Sequence, residues 1–149
     1  MNYWMFRCDP TKYKLDDRLK DANRLTNWRV SQHRNDIHAG DIAFVWAGTK
    51  GGIRAVLRID SEPREMTEME HELAYCGDDL DIRAGLRVEA TYIDMDVHLL
   101  PAKIKEVPGL EHLKVFTGYH QQTNYPVTPE EGKKLLMLID TDIINGSPE

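Results

Sequence analysis

Short apolar runs alternate with polar stretches along this chain, and the spacing inside each run predicts a mixture of strands and helices. Asn2 to Cys8 alternates aromatic and apolar residues and reads as a first strand, ended by Asp9-Pro10. Leu15, Leu19 and Ala22 fall at helical spacing among charges, which predicts a short amphipathic helix over Leu15 to Leu25. Asn27 to His38 is polar and lacks any period, so a long loop with one turn of helix is expected there. The turn signal Ala39-Gly40-Asp41 leads into Ile42 to Ala47, an apolar run short enough for a buried strand. Gly48 to Gly52 makes a turn into Ile53 to Ile59, and the two strands predict a hairpin with a long connection.

The pattern then weakens and recovers. Ser61 to Asp81 is acidic and poorly patterned, with one helical turn at the surface expected over Glu68 to Leu73. Gly85 to Leu100 is long, alternating and β-branched, and fits one bent strand or two. Pro101 to Gly109 predicts a short helix ended by Pro108-Gly109. Thr128-Pro-Glu-Glu131 has Thr at the cap, Pro at the first helical position and Glu three residues on, which starts a last helix running to about Asp140. No repeat, low-complexity tract or linker divides the chain. The elements predict a single domain over residues 1–149, an α+β fold. Its mixed, mostly antiparallel strands close partly into a β-barrel, with short helices over the openings.

Composition bounds the function. A chain of 149 residues can bury roughly 70% of its unfolded surface, and 41% apolar with 30% charged residues suits a soluble globular domain. No apolar stretch approaches the ~20 residues that cross a bilayer, and the N-terminus lacks the layout of a signal peptide. A cytoplasmic protein without a membrane partner is therefore expected. Cys8 and Cys76 stand far apart with no Cys-x-x-Cys, which argues for two reduced thiols and against zinc or a disulfide framework.

Charge is distributed unevenly. Met1 to Arg58 holds 11 Lys+Arg against 6 Asp+Glu, and the rest holds 8 against 19; the balances of +5 and −11 make the net −6. All three tryptophans, Trp4, Trp28 and Trp46, share the basic third with Arg7, Arg24, Arg29 and Arg34. An aromatic pocket with a basic rim suits a flat base attached to phosphate. Arg24, Arg29 and Arg34 lie in a segment without a single acid, so they are the candidates for nucleic-acid backbone contacts. Trp28 sits in a polar stretch and Trp46 at the end of a strand before a glycine-rich turn, so these two are expected to frame one slot. Trp4, on an alternating strand, suits the core. The side chains of Ser31, Gln32, Thr123 and Asn124, with backbone groups of Val30 and Trp46, are candidates to bond a base edge.

Six segments in order resemble the EVE domain family: Tyr3-Trp4, Tyr13-Lys-Leu-Asp-Asp, Asn27-Trp-Arg-Val30, Gly40-Asp-Ile-Ala-Phe-Val-Trp46, Gly52 to Ile59, and Thr123-Asn-Tyr-Pro-Val-Thr-Pro-Glu-Glu131. The resemblance covers roughly residues 2 to 140 and implies a PUA-like barrel related in shape to YTH domains. It further implies recognition of a modified base in DNA or RNA, such as methylated or hydroxymethylated cytosine. Many family members carry Tyr-His-Ser where this chain has Val45-Trp46-Ala47, and Arg-Leu-Ser where it has Thr123-Asn124-Tyr125. Both segments resemble those lining the family's pocket, which adds Tyr125 to the candidates.

Catalytic signals are sparse. The histidines are scattered without ligand spacing, and Gly48-Thr-Lys-Gly-Gly52 lacks the Lys-Ser/Thr of a phosphate loop and leads into a strand. Asp94 with Asp96, and the run Asp78-Asp79-Leu80-Asp81, read as exposed acids, and no metal or cofactor is expected. The leading reading is a reader of a modified base that performs no chemistry and recruits an effector protein. Two others stand beside it: a small RNA- or nucleotide-processing enzyme using His33 or Asp41, and a protein-interaction adaptor using the acidic half.

Overall fold

The computed structural model describes residues 1–76, 84–118 and 122–146, with the backbone alone at residues 84 and 141–146. The run Asp78 to Asp81 lies outside the described residues. The strands are β1 (Tyr3–Arg7), β2 (Leu25–Arg29), β3 (Ile42–Trp46), β4 (Ile53–Ile59), β5 (Arg64–Thr67), β6 (Ala84–Asp94) and β7 (Asn124–Val127). They form one sheet in the order β2-β6-β4-β3-β1-β7, with β5 on β6. Among the described residues only β1 and β3 pair in parallel, as a mixed, mostly antiparallel sheet requires.

Strand β1 is apolar at nearly every position because both of its faces are covered. Tyr3 and Met5 join Phe44, Trp46, Tyr125 and Leu135 on the side that carries helices α3 (Pro101–Lys105), α4 (Lys114–Thr117) and α5 (Pro129–Gly146). Trp4 and Phe6 point the other way, into a second cluster with Ala43, Val45, Leu57, Val88 and Tyr92 inside the barrel. Helix α5 starts on the reciprocal cap read from the sequence: Thr128 N donates to Glu131 Oε1 (2.9 Å) and Glu131 N to Thr128 Oγ1 (3.1 Å). It continues to Gly146, beyond the expected end. At Gly132 the helix lies so close to β1 that a Cβ there would come within 2.3 Å of the Tyr3 ring.

Four expectations are corrected. Helix α1 covers only Leu15–Leu19, because Asn23 N turns to Asp21 Oδ1 (2.9 Å) and Leu25 N to Asn23 Oδ1 (3.0 Å). Such local side-chain acceptors compete with the helix. The stretch expected as a loop from Asn27 begins inside β2, whose buried positions are the polar Thr26 and Asn27. A strand that buries polar groups shows no apolar alternation. The turn Gly48 to Gly51 is one turn of helix, α2. The acidic segment forms β5 and a 3₁₀ helix, Glu70–Tyr75, whose Glu72 is buried instead of facing water.

No ladder joins the two end strands, β2 and β7, so the barrel stays open along the backbone. Side-chain amides bridge the gap. Asn124 on β7 donates Nδ2 to Arg29 O (3.1 Å) and accepts at Oδ1 from Ser31 N (2.7 Å) and Gln32 N (3.2 Å). Gln32 Oε1 in turn accepts from Thr123 N (2.9 Å) and Asn124 N (3.0 Å). This clasp predicts that Asn124→Ala, which removes three hydrogen bonds made by a fully buried side chain, lowers stability by about 1–3 kcal/mol in urea unfolding. An unchanged midpoint would show that the clasp holds nothing.

Candidate functional site

The clasp and β2 form one side of a cleft of about 310 Å³. Trp28 is its half-buried aromatic wall, backed by the rings of Phe6 (6.5 Å between centroids) and Tyr13 (6.2 Å, edge to face). The Trp28 indole N–H turns inward beside the Tyr92 hydroxyl, and neither group closes a hydrogen bond. The ring therefore offers the cleft its carbon surface and no donor. Arg7, Lys12 and Arg29 bring positive charge to the lining, and Thr123 adds a hydroxyl. Asp9 also lines it, and hydrogen bonds from Thr11 hold its carboxyl below the ordinary range.

Part of the lining is buried and polar. Glu72, 1% exposed, accepts from Arg18 Nε (3.0 Å), Thr26 Oγ1 (2.5 Å) and the Tyr13 hydroxyl. Arg18 is wholly buried, lies 5.0 Å from the Tyr92 ring centre and donates Nη2 to Leu25 O (3.0 Å). One ion pair thus fastens α1 and the 3₁₀ helix to β2. Next to it Glu68 and Arg87 complete the lining. Burial pulls the Arg87 guanidinium below its ordinary value, with Glu68 opposing and Arg29 adding to the shift.

Of the residues proposed from sequence, Trp28, Arg29 and Thr123 line this cleft. Ser31, Gln32 and Asn124 meet beside it; the Asn124 amide, Gln32 Oε1 and the Ser31 and Gln32 N–H groups are engaged in the clasp, and the Val30 N–H is bonded to Leu86 O (2.9 Å). The structure does not bring Trp46 to Trp28. Trp46 and Tyr125 are buried on the helical side of the sheet, Trp46 edge-on to Phe116 at 5.5 Å. Position parity explains this: in the β1–β3 register Trp4 sits beside Ala43, and Trp46 is an odd number of residues further along. Arg24 is at the far end of β2, donating to Tyr92 O (3.0 Å) and Ile93 O (3.1 Å), and exposed Arg34 is not among the lining residues. Trp4 is core, its N–H on Asp41 Oδ2 (3.0 Å).

Sequence reasoning missed Asn27, Glu68, Glu72 and Arg87. Three of them lie in stretches without apolar rhythm, so nothing local marked them as inward-facing. Neither acid–base candidate belongs to the cleft. Asp41 accepts from Asn2 N, Trp4 Nε1 and His38 N, and His33, at φ 60°, packs its ring 5.4 Å from Trp4. Asp94, the last residue of β6, accepts from Asp96 N at Oδ1 (3.0 Å), which turns the chain out of the strand. Among the described residues no group of three or more His, Cys, Asp or Glu is placed to hold a metal ion, and no helix is long and apolar enough to cross a membrane.

The profile of the EVE domain matches residues 2–138. The chain belongs to the EVE domain family. No curated protein matches it in sequence. Solved structures share its PUA-like fold at low identity. A protein from Rhodopseudomonas palustris aligns with TM-score 0.64 and 18% identity, over 95% of this chain and 94% of its own. Human THYN1, solved in complex with DNA containing 5-methylcytosine, aligns with TM-score 0.60 and 19% identity, over 93% and 97%. The YTH domain of Mmi1, solved with RNA, aligns with TM-score 0.61 and 17% identity, over 97% and 80%.

Two predictions follow from the EVE domain's cleft walls. Glu72→Ala leaves Arg18 buried without its partner and should cost about 3–5 kcal/mol in urea unfolding, whereas the double change Arg18→Met with Glu72→Leu should recover most of it. A single variant as stable as wild type would mean the pair fastens nothing. Burial pushes the Cys8 thiol up from 9.0 to about 12, with Asp9 adding; Cys76 rises to about 12 through burial and Glu68. At pH 8 about one thiol in ten thousand is then ionised, so both should resist iodoacetamide until the protein unfolds. The raised folded pKa favours the fold fully below pH 9, and that contribution is lost as pH climbs from 9 towards 12. Fast alkylation of the folded protein at pH 8, followed by peptide mass analysis, would contradict this.

Proposed function

We propose that this EVE domain is a non-catalytic reader, taking one modified base of DNA or RNA against the Trp28 ring. The observation that carries the reading is a half-buried indole, turned carbon-face to a 310 Å³ cleft, with Arg29 beside it on the same strand. That volume is at the small end of ligand pockets and suits one planar heterocycle better than a stack of two. Arg7, Lys12 and Arg29 supply the cations that the flanking phosphates need on a protein of net charge −6. Relatives of the same fold bound to 5-methylcytosine DNA and to RNA support the same class of ligand.

Energetics shape the selectivity. Drawing a base out of a duplex costs a few kcal/mol and least for a mismatched or single strand, so single strands bind better. One buried methyl returns about 0.8 kcal/mol, roughly fourfold in affinity. The involvement of Asp41 in three structural hydrogen bonds favours reading over processing. Without chemistry of its own, the domain acts through a partner effector.

Stacking on one aromatic ring is worth about 1–3 kcal/mol. Trp28→Ala should therefore weaken binding to a single-stranded oligonucleotide carrying 5-methylcytosine by about 5- to 150-fold, and Trp28→Phe by less. Fluorescence anisotropy on variants whose melting is checked first measures this. Full affinity in a folded Trp28→Ala protein would sink the reading.

A further inference from the structure

The wall of the same cleft holds a carboxylate whose bonds are incomplete. The Glu68 side chain is only 8% exposed, and its Oε2 is shielded from water with no hydrogen-bond donor. The guanidinium of Arg87, itself 5% exposed, stands 3.7 Å away at Nη2, beyond the reach of a hydrogen bond. Leaving a buried acceptor unsatisfied is costly, and native proteins seldom do it without a use. Asn27, one residue before Trp28, keeps the two groups side by side. Its Oδ1 accepts from Arg87 Nη1 (3.3 Å), and its Nδ2 donates to the carbonyl of Thr67 (2.9 Å), the residue before Glu68. An acceptor and a donor are therefore held as neighbours, next to the ring that the base would cover.

We propose that Glu68 determines specificity by accepting an N–H from the edge of the bound base, while Arg87 donates to the ring atom beside it. The matching ligand presents a donor and an acceptor on adjacent positions, as 4-aminopyrimidines and 6-aminopurines do with their amine and unprotonated ring nitrogen. A base with acceptors alone leaves Glu68 Oε2 without a hydrogen-bond donor and sets one acceptor against another, so it is rejected. Asn27 is a positioning residue in this scheme. The inference rests on the base-reader reading above and adds to it which edge of the base is recognised, and by what.

The test uses single-stranded oligonucleotides carrying 5-methylcytosine or adenine, each against its amine-free counterpart, 5-methyl-2-pyrimidinone or purine. With wild-type protein, removing the amine should weaken binding about 10- to 150-fold in at least one pair, the loss expected for a hydrogen bond to a charged acceptor. In Glu68→Met that gap should close, while Glu68→Gln, which keeps one oxygen, should narrow it partly. The wild-type comparison stands alone if the variants fail to melt cooperatively. No gap in either pair with wild type, or an undiminished gap in folded Glu68→Met, overturns this inference and leaves the reader intact. Failure of every oligonucleotide to bind overturns both.

Discussion

A buried ion pair between Arg18 and Glu72 is the constraint on which the cleft depends. The two residues come from separate helical segments 54 positions apart, and they meet beside Thr26 of β2, out of water. Burying both charges is expensive, and it is offset here only because their hydrogen bonds are numerous: Thr26, Tyr13 and Leu25 all take part. The arrangement ties Tyr13 against Trp28 and sets the 3₁₀ helix beside β2. An apolar contact could hold the same elements with equal energy. It would not orient Tyr13 by its hydroxyl, and that orientation backs the aromatic wall.

The second constraint is the amide clasp across the open seam of the barrel. A continuous ladder between β2 and β7 would close the seam with backbone alone and leave no depression at its end. Asn124 and Gln32 instead spend side-chain groups on that work, so Arg29 and Thr123 sit at the rim of a gap. Polarity is then divided across the cleft. Arg7, Lys12 and Arg29 bring cations to the lining, the Trp28 ring gives it carbon surface, and the Glu68 and Glu72 carboxylates are buried in it. The cleft is thus neither simply basic nor simply acidic, and the whole-chain charge of −6 says little about it.

Much of the scaffold was legible along the chain. The apolar runs at Tyr3, Ile42 and Ile53 became strands because packing covers both of their faces, and the Thr128–Glu131 cap was readable because its chemistry is local. Strand β2 was not legible, since its inward positions carry Thr26 and Asn27, whose partners come from residues some 40 positions away. Glu72 and Glu68 sit in an acidic stretch that looks solvated until β2 and β6 cover it. For the site, Trp28 and Arg29 could be chosen from their setting, but Trp46 could not be excluded.

The chain by itself determined the family, strands β1, β3 and β4 and the start of the last helix, because these rest on local spacing, capping and motif residues. Only the tertiary structure decided that Trp46 and Tyr125 face the helices, since side-chain direction in a sheet follows parity and register between distant strands. It alone decided, too, that Glu68, Glu72 and Arg87 face inward: a charged residue is buried only where a partner from elsewhere in the chain meets it.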